Sequence, residues 1–226
     1  MVTEGKRIVF NAAFIFNIVA FLLLLIAFGS PYWVVSWPRV YNSFKMIGLW
    51  EMCFAGLVLE FEPGMKAYHG CWWVLAPEYW PIRKYLMPGW FIATQVIVTA
   101  CFVAQFVVCC IMLHLWLRYL YEKKRYGGTR RPSLFLTQTT TILTFASAVL
   151  MPMILVLFGV EVYTDILWMP NMHLNYLSWS YGLAVVSAFF SVFATIALVN
   201  YTLIIRQEFR EPISKMAPVN VKDSAL

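Results

Sequence analysis

Four long stretches of this chain carry no charged residue: Arg7 to Arg39, Lys84 to Arg118, Arg131 to Glu161, and Asp165 to Arg206. Each gap leaves at least 29 uncharged residues. A helix needs about 20 apolar residues to cross the hydrocarbon core of a bilayer. The runs therefore predict four membrane-spanning helices, at about 8–28, 88–117, 135–160 and 179–205. The strands of a membrane barrel would be about 10 residues of alternating pattern, and these runs do not alternate. Composition agrees: 62% of the 226 residues are hydrophobic and 12% are charged, about half the charge of a soluble domain. Disorder requires low hydrophobicity and is excluded. What lies outside the spans is too short for a separate soluble domain, so residues 1–226 read as one membrane domain.

Lys and Arg set the orientation of such a bundle. The N-terminal tail has Lys6 and Arg7. The connection at 118–134 has Arg118, Lys123, Lys124, Arg125, Arg130 and Arg131, and the tail at 206–226 has Arg206, Arg210, Lys215 and Lys222. The first loop, 29–87, has five basic residues over a far longer stretch, and the loop at 161–178 has none. Both termini are expected in the cytosol, with loops one and two outside. The net charge of +6 is thus a topology signal, and the basic residues lie where anionic lipid head groups are met. A nucleic-acid surface would interleave basic and aromatic residues on a folded face, so no nucleic acid is expected as a partner. The first span follows Lys6-Arg7 and ends Ala27-Phe28-Gly29, a layout similar to a signal peptide with a small-residue cleavage site. It is longer than the 7–15 apolar residues of a signal h-region and is read as an uncleaved helix.

Loop one carries the landmarks. Of the five cysteines, Cys53 and Cys71 alone lie outside the spans, together in one loop on the oxidising side. They are expected to form a disulfide. Leu59 and Phe61 alternate with Glu60 and Glu62, and Pro63-Gly64 is a turn signal. A hairpin centred on Glu62, with a five-residue loop from Glu60 to Gly64, would put Cys53 opposite Cys71. Such a bridge fixes the register of a small sheet that lacks a large core of its own.

The pattern Trp33, then Gly48-Leu49-Trp50 three residues ahead of Cys53, then Cys71 and Arg83, resembles the first-loop signature of the claudin and peripheral-myelin-protein-like superfamily. The resemblance implies an all-α membrane protein: a four-transmembrane-helix bundle with a small extracellular antiparallel β-sheet formed by the first loop. It implies that Trp33, Gly48, Leu49, Trp50, Cys53 and Cys71 hold the loop fold, and that Arg83 is the membrane-proximal arginine. It also implies a non-enzymatic protein of lateral cell–cell junctions in the plasma membrane. Such a protein contributes to a paracellular barrier and meets itself, other claudin-like proteins and junction proteins in cis and trans. The same signature occurs in auxiliary subunits that regulate or traffic ion channels or receptors, which is the alternative. Three features depart from vertebrate claudins. The cysteines are 18 residues apart, a wider step, the cytosolic loop is strongly basic, and the chain does not end in Tyr-Val. Together they point toward the septate-junction claudin-like proteins of insects.

Trp72, Trp73 and Trp80 are candidates for a contact surface. Loop one holds five basic and four acidic residues, too balanced to suggest an ion-selective pore. Cys109 and Cys110 lie near the basic end of span two, where cysteines are palmitoylated in some proteins. Ser224, Ala225 and Leu226 fit the hydroxyl–any–aliphatic ending that adds a strand to a PDZ scaffold. Asn11, Asn17, Gln95, Gln105, Gln138 and Asn200 lie in or near spans and are read as interhelical hydrogen-bonding groups rather than pore lining. The small residues Ala184, Ser187, Ala188, Ser191 and Ala194 read as a close-packing face in span four. Pro152 should kink span three. No span holds Asp, Glu, Lys or Arg, which disfavours a pump or a membrane enzyme. His114 is the sole histidine within a span, and haem needs paired ligands on facing helices. No catalytic residue, metal or cofactor is expected.

Overall fold

The computed structural model describes residues 2–38, 40, 42–59, 64–126, 133–165, 168 and 172–215. Each charge-free run holds one long helix. Helix α1 covers Val2–Gly29, and Pro31 just beyond it cannot continue a helix. After a four-residue helix α2, Arg83–Leu86, come α3, Gly89–Tyr126, and α4, Leu134–Thr164. Helix α5 covers Trp179–Lys215. The four long helices are each long and apolar enough to cross a membrane. With 38 residues, α3 is about 57 Å long at ~1.5 Å per residue. It therefore outruns the bilayer and carries its basic end beyond the apolar run. Helix α4 continues unbroken through Pro152.

The helices form a ring in which α1 and α4 each pack on both α3 and α5. The α1–α5 contact is the most extensive, and small side chains explain it. Ala184, Ser187, Ala188, Ser191 and Ala194 of α5 are all buried, as are Ala13, Asn17, Ala20, Leu24 and Ala27 of α1. Ser187 Oγ donates to the Ala20 carbonyl at 2.7 Å. The small-residue face of span four is thus used inside the bundle. Polar side chains join the other helices. Gln105 Nε2 donates to Ser191 Oγ at 2.6 Å, Cys109 Sγ donates to Asn17 Oδ1 at 3.0 Å, and the Thr141 and Thr202 hydroxyls lie 2.8 Å apart. At one end of the bundle Lys6 bridges Glu208 at 2.5 Å; the sheet closes the other.

That sheet has five antiparallel strands in the order β4-β3-β2-β1-β5. They are β1 Val34–Ser36, β2 Phe44–Ile47, β3 Glu51–Leu57, β4 Tyr68–Trp73 and β5 Asn175–Leu177. Two details differ from the sequence expectation. The fifth strand comes from loop two and pairs with β1 through Val34↔Leu177 and Ser36↔Asn175, so the sheet is not built by loop one alone. The hairpin register does place Cys53 opposite Cys71, and the last pair among the described residues is Leu57↔Tyr68. The second detail is a bulge in this hairpin: Gly56 adopts φ +88° and the register shifts between Ala55 and Leu57, a conformation glycine tolerates without steric cost. Residues 60–63, which make up most of the expected five-residue turn, lie outside the described residues.

Candidate functional site

The residues singled out in loop one fall into two groups by position. The first group fastens the sheet to the helices. Trp33 is fully buried. Its indole donates to the Ala27 carbonyl at 2.7 Å, and its ring meets Phe158 and Tyr181 edge-on at 5.2 and 5.9 Å. Its backbone bonds Ile47 and Ser178, so one residue ties α1, β2 and the start of α5 together. Gly48 begins the tight turn between β2 and β3, its N–H donating to the Glu51 carbonyl at 2.8 Å. A Cβ at this position would lie 2.5 Å from the Ser30 carbonyl oxygen and 2.6 Å from Pro31 Cα. Both are backbone atoms, so only glycine fits. Leu49 is fully buried, and its carbonyl accepts from Gln95 Nε2 of α3 at 2.6 Å. Trp50 packs edge-on against Phe28 at 5.4 Å, and its carbonyl accepts from the Val74 N–H. Cys53 and Cys71 form the disulfide, which joins β3 to β4.

Several fastening residues carried no sequence signal. Tyr79 is fully buried, and its hydroxyl donates to the Met52 carbonyl at 2.9 Å. Burial, with smaller contributions from Glu51 and Glu78, pushes its phenol well above its ordinary range, so it remains a donor at physiological pH. Trp168 donates to the Leu86 carbonyl at 3.0 Å, and Trp90 donates to Asp165 Oδ2 at 2.9 Å. Asn42 Nδ2 donates to Asn175 Oδ1 at 3.1 Å, linking loop one to loop two. A lone Asn, Trp or Tyr has no periodicity, and its partner is distant in the chain. The one available hint was an aromatic placed among loop landmarks, as Tyr79 is by Pro77-Glu78.

The second group faces outward. Strand β4 ends the sheet, and apart from Tyr68 all its residues are exposed. Trp72, Trp73 and Trp80 are 46%, 57% and 70% exposed. Indoles this open on a sheet edge form an association-prone surface, because their apolar area is left in contact with water. Trp80 lies beneath the Arg83 guanidinium at 6.0 Å. Arg83 Nη2 donates to the Leu75 carbonyl at 2.9 Å and holds the segment after β4 in place. Lys66 bridges Glu78 at 2.6 Å between two half-exposed side chains, where an ion pair contributes little.

Glu51, Cys53 and Cys71 form the one metal-type cluster among the described residues. Its two sulfurs are already bonded to each other, so no thiolate is left to hold a cation. On α3, Cys110 is exposed while Cys109 is half-buried against Asn17. Ser224, Ala225 and Leu226 lie outside the described residues.

No curated protein matches the chain closely enough to be named as a relative. A family model described as PMP-22/EMP/MP20/Claudin tight junction matches residues 18–200, from the middle of α1 into the last turns of the α5 span. The sheet, the disulfide and helices α3 and α4 fall within that match, together with the second half of α1 and most of the α5 span, and the chain belongs to the PMP-22/EMP/MP20/claudin family.

Proposed function

We propose that this protein is a non-enzymatic structural component of cell–cell junctions that helps to seal the paracellular space. In this reading both termini are cytosolic, the sheet projects from the lateral plasma membrane, and β4 meets claudin-like proteins of the same or the opposing cell. The observation that carries it is the placement of Trp72, Trp73 and Trp80 on an exposed edge that is tied to the bundle by the Cys53–Cys71 bridge. A rigid apolar edge of this kind associates with other surfaces and performs no chemistry. The septate junction is the proposed setting, and a PDZ scaffold contacting Ser224, Ala225 and Leu226 is a proposed cytosolic partner. Cys110 is the better placed of the two cysteines for a lipid anchor, being exposed.

Depletion of the protein from an epithelium tests this reading. Leakage of a small fluorescent dextran, together with lateral localisation of the protein in controls, is the expected result. An intact barrier, with a channel or receptor co-purifying in stoichiometric amount, would instead support the auxiliary-subunit alternative.

A further inference from the structure

In the basic connection between α3 and α4 the sequence reads Arg130-Arg131-Pro132-Ser133-Leu134. Two arginines stand three and two residues ahead of a hydroxyl, and an apolar residue follows it. A basophilic protein kinase reads this spacing: carboxylates in its peptide groove take the two guanidinium groups, and an apolar pocket takes the side chain after the acceptor. Other kinase classes do not fit. No Asp or Glu lies between Lys123 and Val160, so an acid-directed kinase has nothing to read, and Leu134 stands where a proline-directed one needs proline. Thr129, the one threonine of the connection, has Tyr126 and Gly127 at the places of the two arginines. Arg130, Arg131 and Pro132 lie outside the described residues; a kinase reads them as an extended peptide, so their order in the chain is what counts.

Ser133 is among the described residues. It stands at the N-cap of α4 with an extended backbone, φ −65° and ψ 115°. Its carbonyl accepts twice from Thr137, from the N–H at 3.1 Å and from Oγ1 at 3.0 Å. A serine hydroxyl at an N-cap ordinarily accepts from the first turn of its helix, but that of Ser133 makes no capping bond. The residue is partly exposed, and Phe135, two residues on, is 74% exposed. The first turn of α4 is therefore lightly packed. Drawing Ser133 and Leu134 into the extended form that a kinase cleft requires breaks few contacts.

We propose that Ser133 is a phosphorylation site for a basophilic protein kinase. This rests on the cytosolic placement of the connection at 118–134 proposed above, because ATP and such kinases are on that side. Ser133 Oγ attacks the γ-phosphorus of ATP. The new O–P bond replaces the bond to the bridging oxygen, which leaves with ADP, and the hydroxyl proton passes to the carboxylate base of the kinase. The product sets about two negative charges at the start of a 31-residue helix. The N–H groups of Leu134, Phe135 and Leu136 come before the bond from Thr137 to Ser133, so they are the donors left to meet the phosphate. Modification thus caps a turn that the unmodified hydroxyl leaves uncapped.

The test uses the full chain in lipid nanodiscs, where both faces are open to solvent, with the catalytic subunit of cyclic-AMP-dependent protein kinase and magnesium ATP. Phosphopeptides are mapped by mass spectrometry. One phosphate on Ser133 is the expected result, lost in Ser133→Ala and kept in Thr129→Ala. Arg130→Gln and Arg131→Gln should each slow the reaction about tenfold, the usual scale for losing a charged hydrogen bond. Amide exchange at Phe135 and Leu136 should slow about fivefold on phosphorylation, the scale of one N-cap; unchanged exchange would overturn the capping role. Phosphate on other residues with Ser133 unmodified, or a rate that neither arginine variant lowers, would overturn the site. In intact cells with the kinase activated, the same phosphopeptide is expected. An epitope inserted between Gly127 and Gly128 that antibody reaches without permeabilisation would instead overturn the cytosolic placement, and with it phosphorylation in the cell, while leaving the nanodisc result standing.

Discussion

The two sides of the five-stranded sheet are built to opposite ends. On the β1–β2–β3 side, Val34, Phe44, Ile47, Met52, Phe54 and Leu57 are buried in the same apolar core as Leu24, Phe91 and Phe158 of the helices. On the β4 side nearly every residue is exposed. The same antiparallel pairing serves both, so the difference lies in which side chains the pairing presents. The inner strands convert the sheet into part of the bundle. The outer strand inherits that rigidity through its ladder with β3 and the disulfide across it, and uses it to display aromatic surface. An exposed edge held this firmly suffers less entropic loss when it associates, which is the advantage of pre-organisation.

Four variants break or sharpen this contrast, in falling order of effect on stability. Trp33→Ala removes a buried indole that joins α1, β2 and α5, and should cost about 3–5 kcal/mol. Thermal unfolding of the purified protein in detergent would show it, with little folded protein reaching the cell surface. Cys53→Ser removes the covalent link between β3 and β4, leaving only their backbone ladder, and should cost about 3 kcal/mol on the chain-entropy account of a loop of this size. Limited proteolysis should then cut between 58 and 67 faster than in the parent, and junctional enrichment should fall. Tyr79→Phe keeps the ring but leaves the Met52 carbonyl without its donor, a loss of about 1–3 kcal/mol with surface delivery retained. The pair Trp72→Ser and Trp73→Ser should change stability by no more than about 0.5 kcal/mol per site, because both rings are already exposed. The prediction is nevertheless that this pair, the gentlest of the four on the fold, abolishes association of the extracellular surface.

How far the sequence revealed this architecture follows from the range of the interactions involved. The spans were legible because a bilayer demands long charge-free runs, and nothing else in the chain has that property. The Cys53–Cys71 pairing and its place opposite in a hairpin were legible because only these two cysteines leave the membrane. Strand β5 was not legible. Asn175–Leu177 is three residues without alternation, and it is extended because β1 offers an open edge to pair with. The Gly56 bulge was likewise hidden, since a glycine in a strand reads the same whether it is bulged or simply small. Trp33 and Gly48 stood out by resemblance, yet the reason for each, a carbonyl at the end of α1 and a backbone approach of 2.5 Å, needs the fold. Tyr79, Trp168 and Asn42 are held by partners from 27 to 133 residues away, beyond the reach of any local pattern.

The central claim is that the β4 edge, presented by a rigid sheet, forms the sealing contact. The most direct measurement is dextran flux across an epithelium depleted of the protein and re-supplied with the Trp72→Ser, Trp73→Ser variant. The account predicts a variant that folds, keeps its disulfide and reaches the lateral membrane at normal levels, while flux remains as high as in depleted cells. Full restoration of the barrier by that variant would contradict the claim.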